Sequence, residues 1–397
     1  MVLLTPVSTG EDVRALLPAL AAALDGSGPP ILPYAADAPP PVHPDLDLTP
    51  GDHTALVVAT SGSTGTPKLV TLPAAAVLAS VAATDAALGG PGQWLLAIPA
   101  HHIGGLLVVA RSLLAGTALT VMDRSDGFTP QAFADAVERM PPGDHPAYVS
   151  LVPTQVARLL ADPRGTHALA RFDAILVGGV GTPPSLRDTA AAAGVRLVAT
   201  YGMTETSGGC VYDGMALPDT EIHIDNDRHV VLGGPTIASG YLGDPGLTAD
   251  HFHTDADGTQ WFRTDDLGAL DDSGRLTISG RADDLVNTGG VKVAPGPVED
   301  ALVRFVPGVG DAVVVGVPDP TWGQLVAAAV TITPGSPTPT LADVRARLRD
   351  ALPPAALPRV VRVVGELPWR GPGKPDRAAL REILAREVRE AREANDA

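Results

Sequence analysis

Short apolar runs alternate with helix-like segments through the first half of the chain. The runs at 94–98 (WLLAI), 147–152 (AYVSLV) and 174–179 (AILVGG) have the length of buried strands. The segments at 130–140 and 184–193 neighbour such runs and carry helical spacing. This alternation predicts an α/β fold of βα layers around a mainly parallel sheet.

The pattern changes near residue 220. Short strands with Asp and Gly turns follow, as in 261–280 (WFRTDDLGALDDSGRLTISG), and they predict a small barrel-like or hairpin β region. Beyond the GRADD stretch at 280–284, helix patterns at 296–305 and 341–352 are interleaved with apolar strand patterns. The last part of the chain is therefore predicted to be a compact α+β segment that ends in a charged helix.

Composition narrows the class of protein. The chain has 397 residues, 45% of them hydrophobic, which is enough for two or three domains with real cores. Cys210 is the single cysteine, so an intramolecular disulfide is excluded, and the start of the chain lacks a secretion-signal pattern. No apolar run reaches about 18 residues. We therefore expect a cytoplasmic protein without membrane insertion, and the net charge of -17 argues against a nucleic-acid partner.

A loop rich in Gly, Ser and Thr, TSGSTGTPK at 60–68, follows a β-branched run at 54–60 and precedes a helix pattern that starts at Pro73. Its backbone N–H groups and hydroxyls predict a nest for phosphate. Pro67 stands where the Walker A pattern has its second Gly, which indicates a nucleotide site of another type. A flexible polar loop is the alternative.

The lysines are few and oddly placed. Only Lys68, Lys292 and Lys374 occur among 28 basic residues, and each lies in a Gly- or Pro-rich turn. A compact ammonium can point at a single oxygen, which the planar guanidinium of Arg does less well. All three are therefore candidate site residues, unless they are surface lysines without a role.

Five segments, taken in order, resemble the motifs of the adenylate-forming superfamily of acyl-CoA synthetases, luciferases and adenylation domains. They are TSGSTGTPK (60–68), YGMTET (201–206), FRTDDLG (262–268), GRADDLVNTGG (280–290) and GPGKPDR (371–377). The similarity runs from about residue 55 to the end of the chain. It implies a large ATP- and acid-binding domain over residues 1–282 with a shortened N-terminus, and a small mobile lid domain over 283–397.

The resemblance also assigns roles in nucleotide binding. Tyr201 would lie on adenine, Thr204 would contact the α-phosphate, and Glu205 would hold Mg²⁺, a cation that prefers carboxylate and phosphate oxygens. Asp266 would bind ribose, although Asp265 replaces the usual glycine and leaves the choice between the two carboxylates open. The full set of implied nucleotide-binding residues comprises Thr60, Ser61, Gly62, Ser63, Thr64, Gly65, Lys68, Gly178, Gly179, Tyr201, Gly202, Asp266 and Arg281.

The implied reaction is that of an AMP-forming acid-thiol ligase that uses ATP, Mg²⁺ and CoA. Lys374 would stabilise charge on phosphate oxygens while the acyl-adenylate forms. The lid domain would then rotate about Asp283, and Gly289 and Gly290 would line the path of CoA. Lys292 is either a CoA phosphate contact or a surface lysine.

The segment 99–116 (PAHHIGGLLVVARSLLAG) resembles, within the superfamily, the o-succinylbenzoate:CoA ligases of menaquinone biosynthesis. His102 would border the acid pocket, where the small Ser207 and Gly208 leave room for an aromatic acid. His101 would pack or face solvent, and no third ligand is spaced to make the histidine pair a metal site. Arg111 would bind a second carboxylate, or its guanidinium would snorkel to solvent.

Two alternatives stay open at this point. An adenylation enzyme for another aryl or short acyl acid would keep these motifs and load CoA or a carrier protein. A non-catalytic nucleotide sensor would also keep them, although the three lysines and Glu205 argue against it. The sequence leaves the oligomeric state open, a homo-oligomer included.

Overall fold

The computed structural model describes residues 2–3, 5–9, 13–40, 47–48, 53–60, 67–368 and 375–396. The chain divides into two compact units, each named here by its residues. The large unit comprises Met1–His223, Val231–Thr264 and Asp271–Leu276, and the small unit comprises Ile224–Val230, Asp265–Leu270 and Thr277–Ala397.

Eleven helices lie within the described ranges, and proline occupies the first turn of many of them, where its missing N–H costs nothing. They are α1 Leu16–Asp25, α2 Ala74–Leu88, α3 Ile103–Ala115, α4 Pro130–Glu138, α5 Pro153–Leu160, α6 Pro163–Leu169, α7 Pro184–Ala192, α8 Pro245–His251, α9 Pro295–Phe305, α10 Leu341–Leu348 and α11 Arg377–Asp396. Every one of them is too short or too polar to cross a lipid bilayer.

The strands of the described ranges are, in chain order, β1 Val2–Leu3, β2 Thr5–Ser8, β3 Ile31–Tyr34, β4 Asp47–Leu48, β5 Thr54–Thr60, β6 Lys68–Pro73, β7 Gln93–Leu96, β8 Leu119–Val121, β9 Ala147–Leu151, β10 Ala174–Val177, β11 Leu197–Met203, β12 Gly208–Tyr212, β13 Met215–Ala216, β14 Glu221–Ile224, β15 His229–Gly233, β16 Gly240–Tyr241, β17 Phe252–Thr254, β18 Gln260–Leu270, β19 Leu276–Arg281, β20 Val286–Thr288, β21 Val291–Val293, β22 Val309–Asp319, β23 Gly323–Ile332 and β24 Val360–Val363.

The predicted parallel sheet is present in the large unit. Seven strands follow the order β13-β12-β11-β10-β9-β7-β8, and the five from β11 to β8 pair in parallel. Strands β12 and β13 extend this sheet as an antiparallel hairpin. Helices α4 to α7 bury Phe133, Val156 and Leu169 against it, which is the layered packing that the alternating apolar runs predict.

A second sheet of the large unit was not expected in this form. Its order is β16-β6-β5-β3-β2, with parallel and antiparallel pairs. The chain leaves the predicted phosphate loop as strand β6 and enters α2 only at Ala74, after Pro73. The sequence pattern missed β6 because its six residues, KLVTLP, show no clear alternation and run directly into a helix pattern.

The predicted β region of short hairpin strands after residue 220 is confirmed. A five-stranded sheet has the order β14-β15-β18-β17, with β19 added beside β18. Phe252 faces Phe262 and His253 faces Trp261 across the β17–β18 pair.

The small unit contains the predicted α+β arrangement. Its sheet has the order β21-β20-β23-β22 with β24 beside β23. Strand β22 sends Val314 into a core with α9 and α10, while Val313 and Val315 enter a second core with α11. This two-residue alternation buries both faces of the strand, so its sequence reads as a continuous apolar run.

Candidate active site

The predicted phosphate loop is closed by an antiparallel pair. Thr60 at the end of β5 faces Lys68 at the start of β6, and the Thr60 hydroxyl donates to the Lys68 carbonyl at 3.4 Å. The predicted contacts Ser61, Gly62, Ser63, Thr64 and Gly65 lie outside the described residues. The two strand ends therefore hold Thr60 and Lys68 at the base of the loop.

The predicted adenine-binding residues meet at the carboxyl ends of two parallel strands. Val177 of β10 is level with Ala199 of β11, so Gly178 and Gly179 flank the strand that carries Tyr201. A side chain at position 178 would lie 2.5 Å from the Thr200 hydroxyl. Such crevices at the carboxyl ends of parallel strands are the usual ligand sites of open α/β sheets.

The predicted magnesium ligand is fixed by a tyrosine that the sequence analysis did not identify. Glu205 is buried, and its Oε1 accepts a hydrogen bond from the Tyr241 hydroxyl at 2.9 Å. The Lys68 Nζ lies 5.2 Å from the centre of the same Tyr241 ring. Tyr241 thus joins the base of the phosphate loop to the predicted magnesium carboxylate, and Thr204 is buried beside Glu205.

The predicted acid pocket is built in two layers, one helical turn apart. In the first layer, the Ser80 hydroxyl of α2 donates to the Ser207 carbonyl at 2.7 Å. Gly208 opposes Leu107 of α3 so closely that a side chain at 208 would lie 2.2 Å from Leu107 Cδ1. The Ser207 hydroxyl is buried and has no hydrogen-bond partner among the described residues.

The second layer repeats the same three elements four residues further on. Arg111 follows Leu107 on α3, Thr84 follows Ser80 on α2, and Tyr212 follows Gly208 along β12. Arg111 Nη2 donates to Thr84 Oγ1 at 3.1 Å, and the Thr84 and Tyr212 hydroxyls are 2.9 Å apart. Residues four apart share one helix face, so Arg111 lies directly beyond Leu107, about 6 Å along α3.

Arg111 is a buried cation with few partners. Arg111 is only 3% exposed, which rules out the alternative that its guanidinium reaches solvent. The Trp94 ring lies 4.9 Å from the guanidinium carbon, and Nε is buried without a hydrogen-bond partner in the described part of the chain. Burial lowers the pKa of Arg111, while Tyr212 and Asp85 oppose that shift. Of the five N–H donors of a guanidinium, the one on Nε is therefore left without a partner among the described residues.

The two histidines at the start of α3 differ in environment. His102 is exposed and caps the helix, and its carbonyl accepts from the Leu106 N–H at 2.9 Å. His101 is half-buried, and its Nδ1 lies 3.2 Å from the Thr9 hydroxyl. Burial and the charge of Arg124 lower the pKa of His101. His101 therefore packs and His102 is exposed, while the role of His102 at the border of the acid pocket stays a prediction.

The predicted ribose and hinge residues of the small unit share one guanidinium. Arg281 binds both carboxylate oxygens of Asp283 at 2.9 Å. It also contacts Asp265 at 3.2 Å and Asp266 at 3.6 Å. Burial acts to lower the pKa of Arg281, but the hydrogen bonds and charges of these carboxylates raise it overall. The roles of Asp266 in ribose binding and Asp283 as hinge stay predictions.

The predicted CoA-binding glycines form a tight turn. Gly289 and Gly290 join β20 to β21 with φ angles of +59° and +80°, which a glycine pair adopts without strain. The Gly289 N–H donates to the Trp322 carbonyl at 2.8 Å, and the indole of Trp322 lies against this turn. Arg359 stacks on the same indole at 4.0 Å, and Lys292 is exposed on β21.

The sequence analysis missed Tyr241, Thr84, Tyr212 and Trp322. Thr84 and Tyr212 contact each other across 128 residues of sequence, so no local pattern identifies them. No feature of the sequence around Tyr241 or Trp322 indicates a role in the site. The remaining predicted site residue, Lys374, lies outside the described residues.

Comparisons with known proteins show to which family the chain belongs. A family model described as AMP-binding enzyme matches residues 8–242, and one described as AMP-binding enzyme C-terminal domain matches residues 297–374. A probable 2-succinylbenzoate:CoA ligase of Mycobacterium tuberculosis is 45% identical over 94% of this chain and 96% of its own length. A sulfoacetate:CoA ligase of Cupriavidus necator is 32% identical over 92% of this chain and 73% of its own.

A solved structure extends the similarity to the fold. The o-succinylbenzoate CoA synthetase of Bacillus subtilis, in complex with its acyl-adenylate intermediate, superposes with a TM-score of 0.70 at 25% identity. The alignment covers 88% of this chain and 74% of that one.

Proposed function

Because the chain belongs to the AMP-binding enzyme family, we propose that it is an ATP-dependent acid:CoA ligase whose acid is o-succinylbenzoate. The acid carboxylate attacks the α-phosphorus of ATP, which gives an acyl-adenylate and releases pyrophosphate. The thiol of CoA then attacks the acyl carbon, and AMP leaves as the thioester forms. The product is o-succinylbenzoyl-CoA, an intermediate on the route to menaquinone.

The residues of the large unit suit the first step. Lys68 and Thr204 would contact phosphate, Tyr201 would lie on adenine, and Glu205 would hold Mg²⁺ together with phosphate oxygens, since a lone protein carboxylate leaves most of the coordination to the nucleotide and water. Bound there, Mg²⁺ would neutralise charge on the phosphates. The Tyr241 hydrogen bond keeps the Glu205 carboxylate oriented toward this place.

The choice of o-succinylbenzoate as the acid rests on the environment of Arg111. o-Succinylbenzoate has one carboxylate on the succinyl arm, which is adenylated, and a second on the ring. The second layer offers a buried guanidinium, one helical turn beyond Leu107, whose Nε has no hydrogen-bond partner in the described parts of the chain. Arg can bind such a carboxylate through two N–H groups, and this would supply the partner that the pocket itself lacks.

A different diacid is the second candidate. The sulfoacetate:CoA ligase of Cupriavidus necator is named for an acid whose sulfonate is also a second anion, and Arg111 would suit that group as well. A monocarboxylic acid fits the pocket less well, because it would leave the buried cation without a counter-charge.

The test is pyrophosphate release across a panel of acids, with and without CoA. The panel contains o-succinylbenzoate, sulfoacetate, benzoylpropionate and acetate. We expect o-succinylbenzoate to react fastest and acyl-CoA to accumulate when free CoA is the only acceptor. Faster reaction with a monocarboxylic acid would contradict the assignment, and thioester formation only on an added carrier protein would favour the carrier-loading alternative. Absence of exchange with every acid would point to a nucleotide sensor.

For the second step, the glycine turn of the small unit is the surface that we assign to CoA. Gly289 and Gly290 have no side chains to block a narrow thiol arm, and Trp322 and Arg359 present an aromatic face and a cation beside them. Lys292 adds an exposed positive charge on β21. These groups suit the adenine ring and the phosphates of CoA.

A further inference from the structure

Arg377 is the first residue of α11 and follows the predicted catalytic lysine, Lys374, by three positions. Its Nη1 donates to Glu299 Oε1 at 2.5 Å and to the Val314 carbonyl at 2.7 Å, and its Nη2 donates to Glu299 Oε2 at 3.1 Å. Its Nε lies 3.3 Å from Asp284 Oδ2. One side chain therefore ties α11 to α9, to β22 and to the residue after the predicted hinge.

This contact set has little freedom to move. The side chains of Arg377 and Glu299 are 21% and 17% exposed. Glu299 Oε1 also accepts from the Val314 N–H at 2.7 Å, so the carboxylate is itself held in place. Burial acts to lower the pKa of Arg377, but its hydrogen bonds to Glu299 and the charges of Glu299 and Asp284 raise it overall. A bidentate ion pair of this kind fixes direction as well as position.

The backbone around the lysine segment is also joined. The Asp376 N–H donates to the Pro368 carbonyl at 2.8 Å, so the residues that enter and leave the segment 369–374 are neighbours. The Asp376 carboxylate accepts from the Ala379 N–H at 3.1 Å and caps the first turn of α11. The place where this segment ends is therefore set by Asp376 and Arg377.

We propose that Arg377 is a positioning residue for Lys374. It acts through the segment that carries the lysine, because its contacts with Glu299, Val314 and Asp284 fix the point from which that segment leaves α11. Electrostatic stabilisation of a phosphate oxygen falls steeply when the cation is displaced by about 1 Å. The inference rests on the proposed function, since only an adenylating enzyme needs Lys374 in this role.

The experiment compares Arg377→Lys, Lys374→Ala and the double variant in both half-reactions. Arg377→Lys keeps the charge but loses the fork that spans Glu299, Val314 and Asp284. We expect ATP–pyrophosphate exchange to fall at least about tenfold, while attack of CoA on supplied acyl-adenylate stays within about twofold. In the Lys374→Ala background, the same change should have no further effect, because Arg377 acts only through the lysine.

Arg362→Lys is the matched control. Arg362 also pairs with a residue of α11, Glu387 at 3.4 Å, but it lies on β24 and is largely exposed, so both half-reactions should keep their rates. Glu299→Gln is the second variant, in case Arg377→Lys fails to fold, and it should show the same one-sided loss. Equal loss in both half-reactions, or losses that multiply in the double variant, would overturn the proposal. Full exchange by Lys374→Ala itself would instead refute the proposed chemistry of that lysine.

Discussion

Arg111 in the large unit is buried and Arg377 in the small unit is partly buried, and their hydrogen-bonding groups are satisfied to different degrees. Arg377 has two carboxylates and a carbonyl within contact distance. Arg111 has one hydroxyl and an aromatic ring, and no carboxylate pairs with it among the described residues. The difference separates a cation that holds the protein together from one that has no carboxylate partner in the described part of the chain.

The energetic consequences of the two arrangements are opposite. Removing one member of a buried, paired set leaves its partners uncompensated and costs about 3 kcal/mol or more. Removing a buried cation that lacks a counter-charge can be neutral or stabilising. A protein keeps such an unsatisfied group when function requires it, so the contrast between the two arginines can be tested through both stability and activity.

Lys374→Ala should have the largest effect on activity. It removes the cation that the small unit is predicted to deliver, so adenylate formation should fall by roughly a hundredfold or more. Attack of CoA on supplied acyl-adenylate should continue, because the lysine is predicted to leave the site before that step. Rapid-quench measurement of each half-reaction checks this split, and equal damage to both would break the link between the small unit and adenylation.

Asp283→Pro should have the next largest effect, on the opposite half-reaction. Proline fixes φ near -65°, and a hinge needs backbone freedom at that residue. Thioester formation should fall about tenfold or more, while adenylation falls less. Asp283→Ala is the control, since it removes the Arg281 ion pair without restricting the backbone. Unchanged turnover to acyl-CoA by the proline variant would place the hinge elsewhere.

Arg111→Met should raise the Michaelis constant for o-succinylbenzoate about thirtyfold, which corresponds to about 2 kcal/mol for a lost charged hydrogen bond. The constant for ATP should stay near its original value. Because the guanidinium is buried and poorly paired, the free energy of unfolding should stay the same or increase. Steady-state kinetics and urea titration measure the two quantities.

Benzoylpropionate, which lacks the ring carboxylate, separates a binding role of Arg111 from a structural one. The parent protein should bind this analogue poorly, and Arg111→Met should lose little further. If the variant discriminates between acid and analogue as well as the parent does, or unfolds more easily, Arg111 belongs with Arg377 as a structural cation.

Cys210→Ala should have the smallest effect. It tests whether water reaches the buried thiol of Cys210 in the large unit. Burial raises the pKa of the Cys210 thiol from 9.0 to about 12. Its stabilising contribution is therefore complete below pH 9 and is lost as pH rises toward 12, because only the unfolded thiol ionises in that window. Between pH 8 and pH 10, Cys210→Ala should lose about 1 kcal/mol less stability than the parent.

Urea titrations at the two pH values measure this difference. Identical alkaline losses in parent and variant would mean that water reaches Cys210 in the folded protein.

The sequence by itself determined most of the fold. Apolar runs of strand length between helical patterns require a layered α/β structure, because each element has one face to bury. Its ordered motifs also predict where the site lies, because residues near the carboxyl ends of adjacent parallel strands, such as Gly178 and Tyr201, come together.

Only the tertiary structure decided which side chains support those residues. The hydrogen bond from Tyr241 to Glu205 and the second layer of Thr84, Arg111 and Tyr212 depend on contacts between residues 27 to 128 positions apart. Local pattern carries no information about such pairs. The same limit applies to charge. The sequence shows 28 basic residues, and only burial and partners distinguish Arg111, which has no ion-paired carboxylate among the described residues, from Arg377, which has two.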